Sequence, residues 1–371
     1  MNSKERMLTA LNKEVPDRLP ATLHQWQPYH LKYYMDGMDA LEAFKECGLD
    51  AAISYFKDMG QTQFMNSTEN AKLSEEWIDK VDILDNSPEH TLTDHTVHTP
   101  DGTLTYQVES NEKTTWVTEH LIKEPEDIKL LKYLPVPKLD HDDIIKTYDR
   151  VGDAGILRGF VWGEQAGCWQ QACVYHGEEK MIFAAMDNPE WVHEFLEILL
   201  EKKLQFIYDS LDGAKFDLIE TGGGASSSTL ISPQMFEEFA LPYDRKIHDA
   251  LHDVGHRTTY HTCGGMKGLF DMIIETNTDA SETLSPEGVG GNIEGPELYQ
   301  TMHGKVALIG GMDQLNILTD GTPKEIKEEV YRLFDVFGKG GGYIMSACDH
   351  FFDAPKENLI AYAEAARECN Y

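Results

Sequence analysis

From about residue 151 the chain alternates short apolar runs with longer amphipathic ones, and this rhythm restricts the fold more than any other feature. Runs rich in β-branched and aromatic residues lie at 155–163 ("GILRGFVWG"), 216–224 ("FDLIETGGG"), 257–265 ("RTTYHTCGG"), 306–313 and 341–349, with a weaker one at 278–285. The stretches between them carry helix boundary signals. These are Asn188-Pro189, Ser232-Pro233 with Gly255 at the far end, and the capping box Thr322-Pro-Lys-Glu325. Such alternation implies a parallel sheet, because parallel neighbours need a crossover element between them. With 48–56 ("GLDAAISYF") as a first strand, the count is six or seven βα units, close to a TIM (β/α)8 barrel.

Residues 1–150 follow another rhythm. Helices are expected over 3–12, with Ser3 as N-cap, and over 37–47. "HTVHTPDGTLTYQVES" (95–110) reads as two alternating segments joined at Pro100-Asp101-Gly102, a hairpin, and 114–122 as a further strand. The Pro-rich stretch 135–143 marks a shift in composition. The expected organisation is an N-terminal elaboration over 1–150, containing the first strand and a small antiparallel sheet. The main barrel body over 151–371 completes a single catalytic domain.

Composition narrows the function. Hydrophobic content of 41% with 10% aromatics describes a chain with a real core. The net charge of −32 repels phosphate backbones and anionic bilayers, so neither nucleic acid nor a membrane is an expected partner. The first twenty residues are charged and amphipathic, unlike a signal peptide, and no apolar run is long enough to span a bilayer. Six scattered cysteines suit a reducing compartment better than a disulfide framework. A cytoplasmic location is expected.

Barrel active sites lie at the carboxyl ends of the strands. Glu164, Glu220, His261, Cys263, Asp313 and Cys348 all fall there on this reading. His261-Thr-Cys263 and the distant Cys348 offer imidazole and thiolate ligands suited to Zn²⁺, and three protein ligands leave a fourth position open for chemistry. Buried cysteine is more often inert core, so the pattern alone leaves both readings open.

Three segments carry a wider resemblance: "LISPQMFEEFALPYDRKIHDALHDVGHRTTYHTCGG" (230–265), "KVALIGGMDQLNILTDGTPKEIKEEV" (305–330) and "SACDHFFDAPKENLIAYAEAAREC" (346–369). Together they resemble the uroporphyrinogen decarboxylase superfamily, and more narrowly its zinc-dependent corrinoid methyltransferase branch. The resemblance is good over 150–371 and holds only in outline before that. It implies a TIM barrel holding one Zn²⁺ on His261, Cys263 and Cys348. It also implies methyl transfer involving a corrinoid. The chain lacks the Asp-x-His-x-x-Gly pattern that ligates cobalt, so the corrinoid is expected on a separate protein docking at the barrel mouth. The decarboxylases of the family carry an Arg-rich segment near the N-terminus for a substrate with many carboxylates. Here "RLPATLHQWQPYHLKYYMDG" (18–37) offers Arg18 and mostly His, Gln, Trp and Tyr, so decarboxylation is disfavoured.

Two methyl transfers fit the branch. One takes a methyl group from a methoxylated compound to a reduced corrinoid, and the other takes it from methylcobalamin to a thiol. The aromatic and amide-rich segments 23–34 and 160–175 favour the first, with Trp26, Tyr29, Trp162 and Trp169, together with Glu164, expected around a flat substrate. Glu220, His350 and Asp313 are the expected catalytic groups, although support of the ligands or ordering of loops is an alternative for each. The glycine run 222–224 lacks the Lys-Ser/Thr ending of a phosphate loop and reads as a place of close approach. The oligomeric state, a homodimer included, stays open.

Overall fold

The computed structural model of the protein describes residues 1–57, 70–87, 89–162 and 167–371. Strand β1 (Ala51–Ser54) opens a parallel sheet. A five-stranded antiparallel sheet is inserted after it: β2 (Ala71–Lys72), β3 (Ile78–Asn86), β4 (Thr91–Thr99), β5 (Gly102–Ser110) and β6 (Thr115–Glu119). The expected hairpin is β4–β5, paired from Thr91↔Ser110 to Thr99↔Gly102 around the Pro100-Asp101 turn. The parallel sheet resumes with β7 (Gly155–Phe160), β8 (Leu218–Gly222), β9 (Thr258–His261), β10 (Ala280–Thr283), β11 (Ala307–Met312) and β12 (Tyr343–Ala347). Its spatial order is the chain order, β1-β7-β8-β9-β10-β11-β12, a TIM-like arrangement with helices in the connections.

The sheet is strongly curved, and the packing at its amino ends shows it. Ala52, Ile156, Leu218, Ala280, Ala307, Ile309 and Ile344 come from six different strands, yet they join one buried cluster with Met7, Ala10 and Leu11 of the helix Ser3–Leu11. That helix therefore plugs one end of the sheet. Its N-cap is Asn2, not Ser3, because the Asn2 carboxamide accepts from the Glu5 N–H while the Glu5 carboxylate accepts from the Asn2 N–H. The two outer strands approach a common segment. Met345 N–H of β12 donates to Pro20 O at 2.9 Å and Met345 O accepts from Thr22 N–H at 2.8 Å, while Asp50 N–H beside β1 donates to Ala21 O at 2.9 Å.

Side chains alternate across a strand, so residues two positions beyond each member of the apolar cluster face the same interior. Those of β7, β8 and β10 are Arg158, Glu220 and Glu282, joined by His261 in register with Glu282. A layer of charge thus sits directly above a layer of Ala, Ile and Leu. No helix among the described residues is long and apolar enough to cross a membrane.

Candidate active site

Arg158, Glu220, His261 and Glu282 are all buried, so their charges must be balanced locally. The Arg158 guanidinium donates to Glu220 Oε2 and to Glu282 Oε1, both at 2.7 Å. The same Glu282 oxygen lies 3.1 Å from Nδ1 of His261. A carboxylate on one ring nitrogen fixes a histidine's orientation and tautomer and leaves the other nitrogen as a ligand. That other nitrogen, Nε2, is buried without a hydrogen-bond partner among the described residues.

Cys263 and Asp349 complete the arrangement. Ligand atoms of His261, Cys263 and Asp349 lie within 4.8 Å of one another, as do those of His24, Asp349 and His350 in an adjoining group. The His24 ring stands 4.8 Å from that of His261 and 5.4 Å from that of His350. Burial opposes charge on His261, yet Cys263, Glu220 and Glu282 beside it raise its pKa well above the ordinary value. The floor of the site therefore favours positive charge. Burial lowers the pKa of both His24 and His350. Burial works the other way on Asp349, but His350, His261 and His24 outweigh it and hold the carboxylate ionised. Glu220 is pushed up to about 7 by burial and by Glu282, against the pull of Arg158. An orphaned imidazole nitrogen, a thiol, a carboxylate and a hydrogen-bonded outer carboxylate are the parts a zinc site requires, so the donor set fits the ion.

Above this floor opens a cavity of about 1020 Å³. His24, Glu220, Cys263, Asp349 and His350 border it below, and Phe56, Phe160, Gln27, Gln314 and Phe352 stand on its walls. The turn between β5 and β6 reaches its rim through Asn111–Thr114, fastened by Lys113 to Asp353 at 2.8 Å and by Glu112 to Lys32 at 2.6 Å. The inserted sheet thus contributes to the mouth.

The expected site residues fare unequally. Glu220, Cys263 and His350 line the cavity, and His261 is buried beneath it with its ligand atom within 4.8 Å of those of Cys263 and Asp349. Cys348 is buried on the same face, four residues beyond Ile344, but its Sγ points at Leu284 O, 3.7 Å away, and it is in neither ligand group. Burial pushes its thiol pKa up. Asp313 is not part of the lining. Its Oδ1 accepts from the N–H groups of Leu315 and Asn316 at 2.9 and 2.8 Å, so it orders its own turn instead of facing substrate.

None of the four expected aromatic residues lines the cavity. Trp26 packs on His30, Phe44 and Phe351, and Trp162 is fully buried with its carbonyl accepting from Lys203 Nζ. Tyr29 packs at a tilt against Tyr33 under the Lys113 ammonium. Trp169 packs on Phe239 and donates from Nε1 to Ala225 O at 3.0 Å. With Gln170, whose Oε1 accepts from Ala225 N–H at 2.7 Å, it clamps the glycine loop after β8. Flat, apolar rings are drawn into the core unless something holds them at a surface, and Phe56 and Phe160 take the wall instead. Glu164 lies outside the described residues.

Arg158, Glu282 and His24 escaped the sequence reading. A trace of the first was present, since an Arg inside the apolar run "GILRGFVWG" must find a buried partner. Glu282 sat in the weakest strand candidate, where nothing local marked it.

A TIM-like α/β fold with a metal-compatible donor cluster at the carboxyl ends of its strands defines the class: a barrel-type enzyme with its site in the mouth. Within that class the chain belongs to the uroporphyrinogen decarboxylase (URO-D) family, whose model matches residues 93–369. It is 26% identical over 149 residues to a methylcobamide:CoM methyltransferase MtbA of Methanosarcina acetivorans, covering 39% of this chain and 40% of that protein. It is 26% identical over 200 residues to a methylated-thiol–coenzyme M methyltransferase of Methanosarcina mazei, covering 52% and 48%. A uroporphyrinogen decarboxylase of Pseudoalteromonas translucida is 29% identical over 198 residues, 51% of each chain. The matches thus span about half the length of these relatives, or less. A solved methyltransferase from Methanosarcina mazei shares the fold over 99% of both chains, with a TM-score of 0.67 at 16% identity. The resemblance read from the three sequence segments is borne out.

Proposed function

We propose that the protein is a zinc-dependent methyltransferase that moves a methyl group from a methoxylated aromatic compound to the reduced corrinoid of a separate protein. The observation that carries the reading is the stacked pair Phe56–Phe160, ring centroids 4.5 Å apart at 22°, in the wall of the cavity that Cys263 borders. A flat ring packs well against such a pair, and a small linear thiol leaves most of it bare. Charge points the same way. Lys113 is the one basic residue among the described lining residues, and the undescribed stretches contain no Lys or Arg. A substrate with many carboxylates has no Arg forks to meet it, which counts against decarboxylation of a tetrapyrrole.

His261, Cys263 and Cys348 are the proposed zinc ligands, Cys348 by a rotation about its Cα–Cβ bond, with Glu282 orienting His261. Bound there, Zn²⁺ supplies Lewis acidity toward an ether oxygen. In the overall reaction the methyl–oxygen bond breaks, a phenolate leaves with the electron pair, and the reduced corrinoid provides the pair for the new carbon–cobalt bond. Arg158 holds the two carboxylates in place, Phe56 and Phe160 orient the ring, and His350 stands at the rim as hydrogen-bond donor to the leaving oxygen. Residues 20–22, bonded to both outer strands, serve on this reading as the eighth strand of a closed barrel. Few and scattered cysteines suit the cytoplasm in which a reduced corrinoid persists.

A second reading has its own support, because the names of two relatives specify transfer to the thiol of coenzyme M. The experiment that separates the two is methyl transfer with a reduced or methylated corrinoid protein, offered 2-methoxyphenol or coenzyme M. Demethylation of 2-methoxyphenol dependent on zinc supports the first reading. Thiol methylation without ether cleavage establishes the second.

A further inference from the structure

Beside the His261–Cys263 pair stands a second set of ligand groups that contains no sulfur. The segment 20–22 runs parallel to β12, with Ala21 paired to Met345. The residues that follow on the two sides, His24 and Gln25 on one and Asp349 and His350 on the other, are thereby carried to the same place. One imidazole nitrogen of His24, one of His350 and a carboxylate oxygen of Asp349 lie within 4.8 Å of one another. All three residues line the cavity, and the side chains of Asp349 and His350 are 30% and 39% exposed, so an ion in the cavity can reach them. Metal–ligand bonds of about 2.0–2.2 Å set ligand atoms about 3–4 Å apart, a spacing that a small rotation of the exposed His350 completes.

The hydrogen bonds around the set prepare it. Nε2 of His350 lies 3.3 Å from Gln25 Oε1, an atom that only accepts, so Nε2 carries the proton and Nδ1 of the neutral ring is left as the ligand. That Nδ1 is 3.8 Å from Asp349 Oδ1, too far for a hydrogen bond and close to the separation of two ligands on one ion. The His350 N–H donates to Asp349 Oδ1 at 2.7 Å and fixes the direction of the carboxylate. Nδ1 of His24 stands 3.8 Å from Glu282 Oε1, again beyond hydrogen-bonding distance. His24 also has Glu220, His261 and Glu282 within 4.8 Å, but both of those carboxylates are bonded to Arg158, and an ion among them would face a buried guanidinium. On the cavity side the charge favours a cation: Glu112, Glu178 and Glu220 border it, and Lys113 is paired with Asp353.

We propose that His24, Asp349 and His350 form a second metal site, separate from the His261–Cys263 site, which takes a divalent first-row transition-metal ion and keeps open positions toward the cavity. Two imidazoles and a carboxylate suit such an ion, and the lack of thiolate makes this the weaker of the two sites, filled when metal is supplied. Its open positions accept an oxygen donor of a cavity ligand. Ligation through Nδ1 leaves the Nε2–H of His350 as a donor. Asp349 has two oxygens and serves this ion whether or not it also bonds the first, as carboxylates do between paired metals. The site is defined by the cluster alone and does not depend on the methyl transfer proposed above.

Cobalt(II) is the probe, because its spectrum reports the donor atoms. The purified protein, dialysed against metal-free buffer, is titrated with Co²⁺ and followed by calorimetry and absorption. It should take up about one Co²⁺ per chain beyond the metal it retains, with d–d absorption and without the thiolate-to-cobalt charge-transfer band of a sulfur ligand. Cys263→Ala should bind this ion as the wild type does. His24→Ala and His350→Ala should each weaken it more than about 100-fold and keep the retained zinc, which also reports an intact fold; Gln25→Ala should weaken it about 10- to 100-fold, the range for a lost outer partner. No added uptake by the wild type overturns the site, as does uptake that survives in both histidine variants. A charge-transfer band on the added ion, or loss of its uptake in Cys263→Ala, assigns that ion to the cysteine site instead. Loss of the retained zinc in His24→Ala makes His24 a ligand of the first ion and equally overturns the second site.

Discussion

The Cβ that Gly224 lacks would stand 2.7 Å from Sγ of Cys263. The glycine loop after β8 is thus shaped around a sulfur atom, which gives the close approach read from the 222–224 run its specific partner. Gly224 has no left-handed φ, so its own backbone accepts alanine, and the strain falls on Cys263, on its thiol and on its carbonyl oxygen 3.1 Å away. Gly224→Ala should lower zinc affinity about 10- to 100-fold, the range seen when the support of a ligand is disturbed, with little change in thermal stability. Competition against a chromophoric chelator measures it; unchanged affinity would remove Cys263 from the ligand set.

Zinc content discriminates between Cys348 and Asp349 as the third ligand. The purified protein should carry about one zinc per chain, the occupancy of a three-ligand catalytic site. Cys263→Ala and Cys348→Ala should lose it while keeping native circular dichroism, because a core of this size does not depend on a metal. Asp349→Ala should retain the ion more weakly. The reverse result, loss in Asp349→Ala and retention in Cys348→Ala, would assign the site to the carboxylate that already lies beside His261 and Cys263.

His248 makes stability depend on pH. Its pKa is lowered to about 4 by burial, while its Nδ1 donates to Thr276 O at 2.7 Å. The unfolded chain takes up this proton near pH 6.5 and the folded chain only near 4. Between these values the unfolded state binds more protons, so stability falls as pH falls through the window and is fully present above it. The loss amounts to about 3 kcal/mol at the acid end. Urea unfolding at pH 7 and pH 4.5 should show most of it in the wild type and a smaller difference in His248→Gln.

Arg158 balances two buried carboxylates. Arg158→Met should destabilise the fold by about 3–5 kcal/mol, because Glu220 and Glu282 are left buried and uncompensated. Adding Glu220→Gln and Glu282→Gln to that variant should recover most of the loss, since replacing a whole buried ion cluster is close to neutral. Denaturant midpoints of the single and triple variants decide it, and a triple variant no more stable than the single one would show that packing dominates over charge.

How much was legible before the structure depended on the range of the interaction. The strand at 155–163 is β7 at 155–160, and even the weak candidate at 278–285 is β10 at 280–283, because alternating apolar pattern and turn residues act over a few neighbours. The Thr322–Glu325 capping box and the Asn188 cap formed as read for the same reason. His261 and Cys263 were legible because a spacing of two residues, at the end of one strand and just beyond it, already brings them together. The four aromatic residues were not: whether Trp169 faces a ligand or a core depends on Phe239 and Ala225, which lie 70 and 56 positions away.

Local pattern and composition by themselves therefore determined the parallel βα architecture, the inserted hairpin, the acidic surface and the His261–Cys263 pair. Each follows from propensity or charge within a short window. Tertiary structure alone decided that Arg158 meets Glu220 and Glu282, that Asp349 stands nearer the ligand pair than Cys348 does, and that phenylalanines form the cavity wall in place of tryptophans. These depend on how strands far apart in the chain are brought side by side by sheet curvature. A buried charge finds its partner only after the sheet has curved around it.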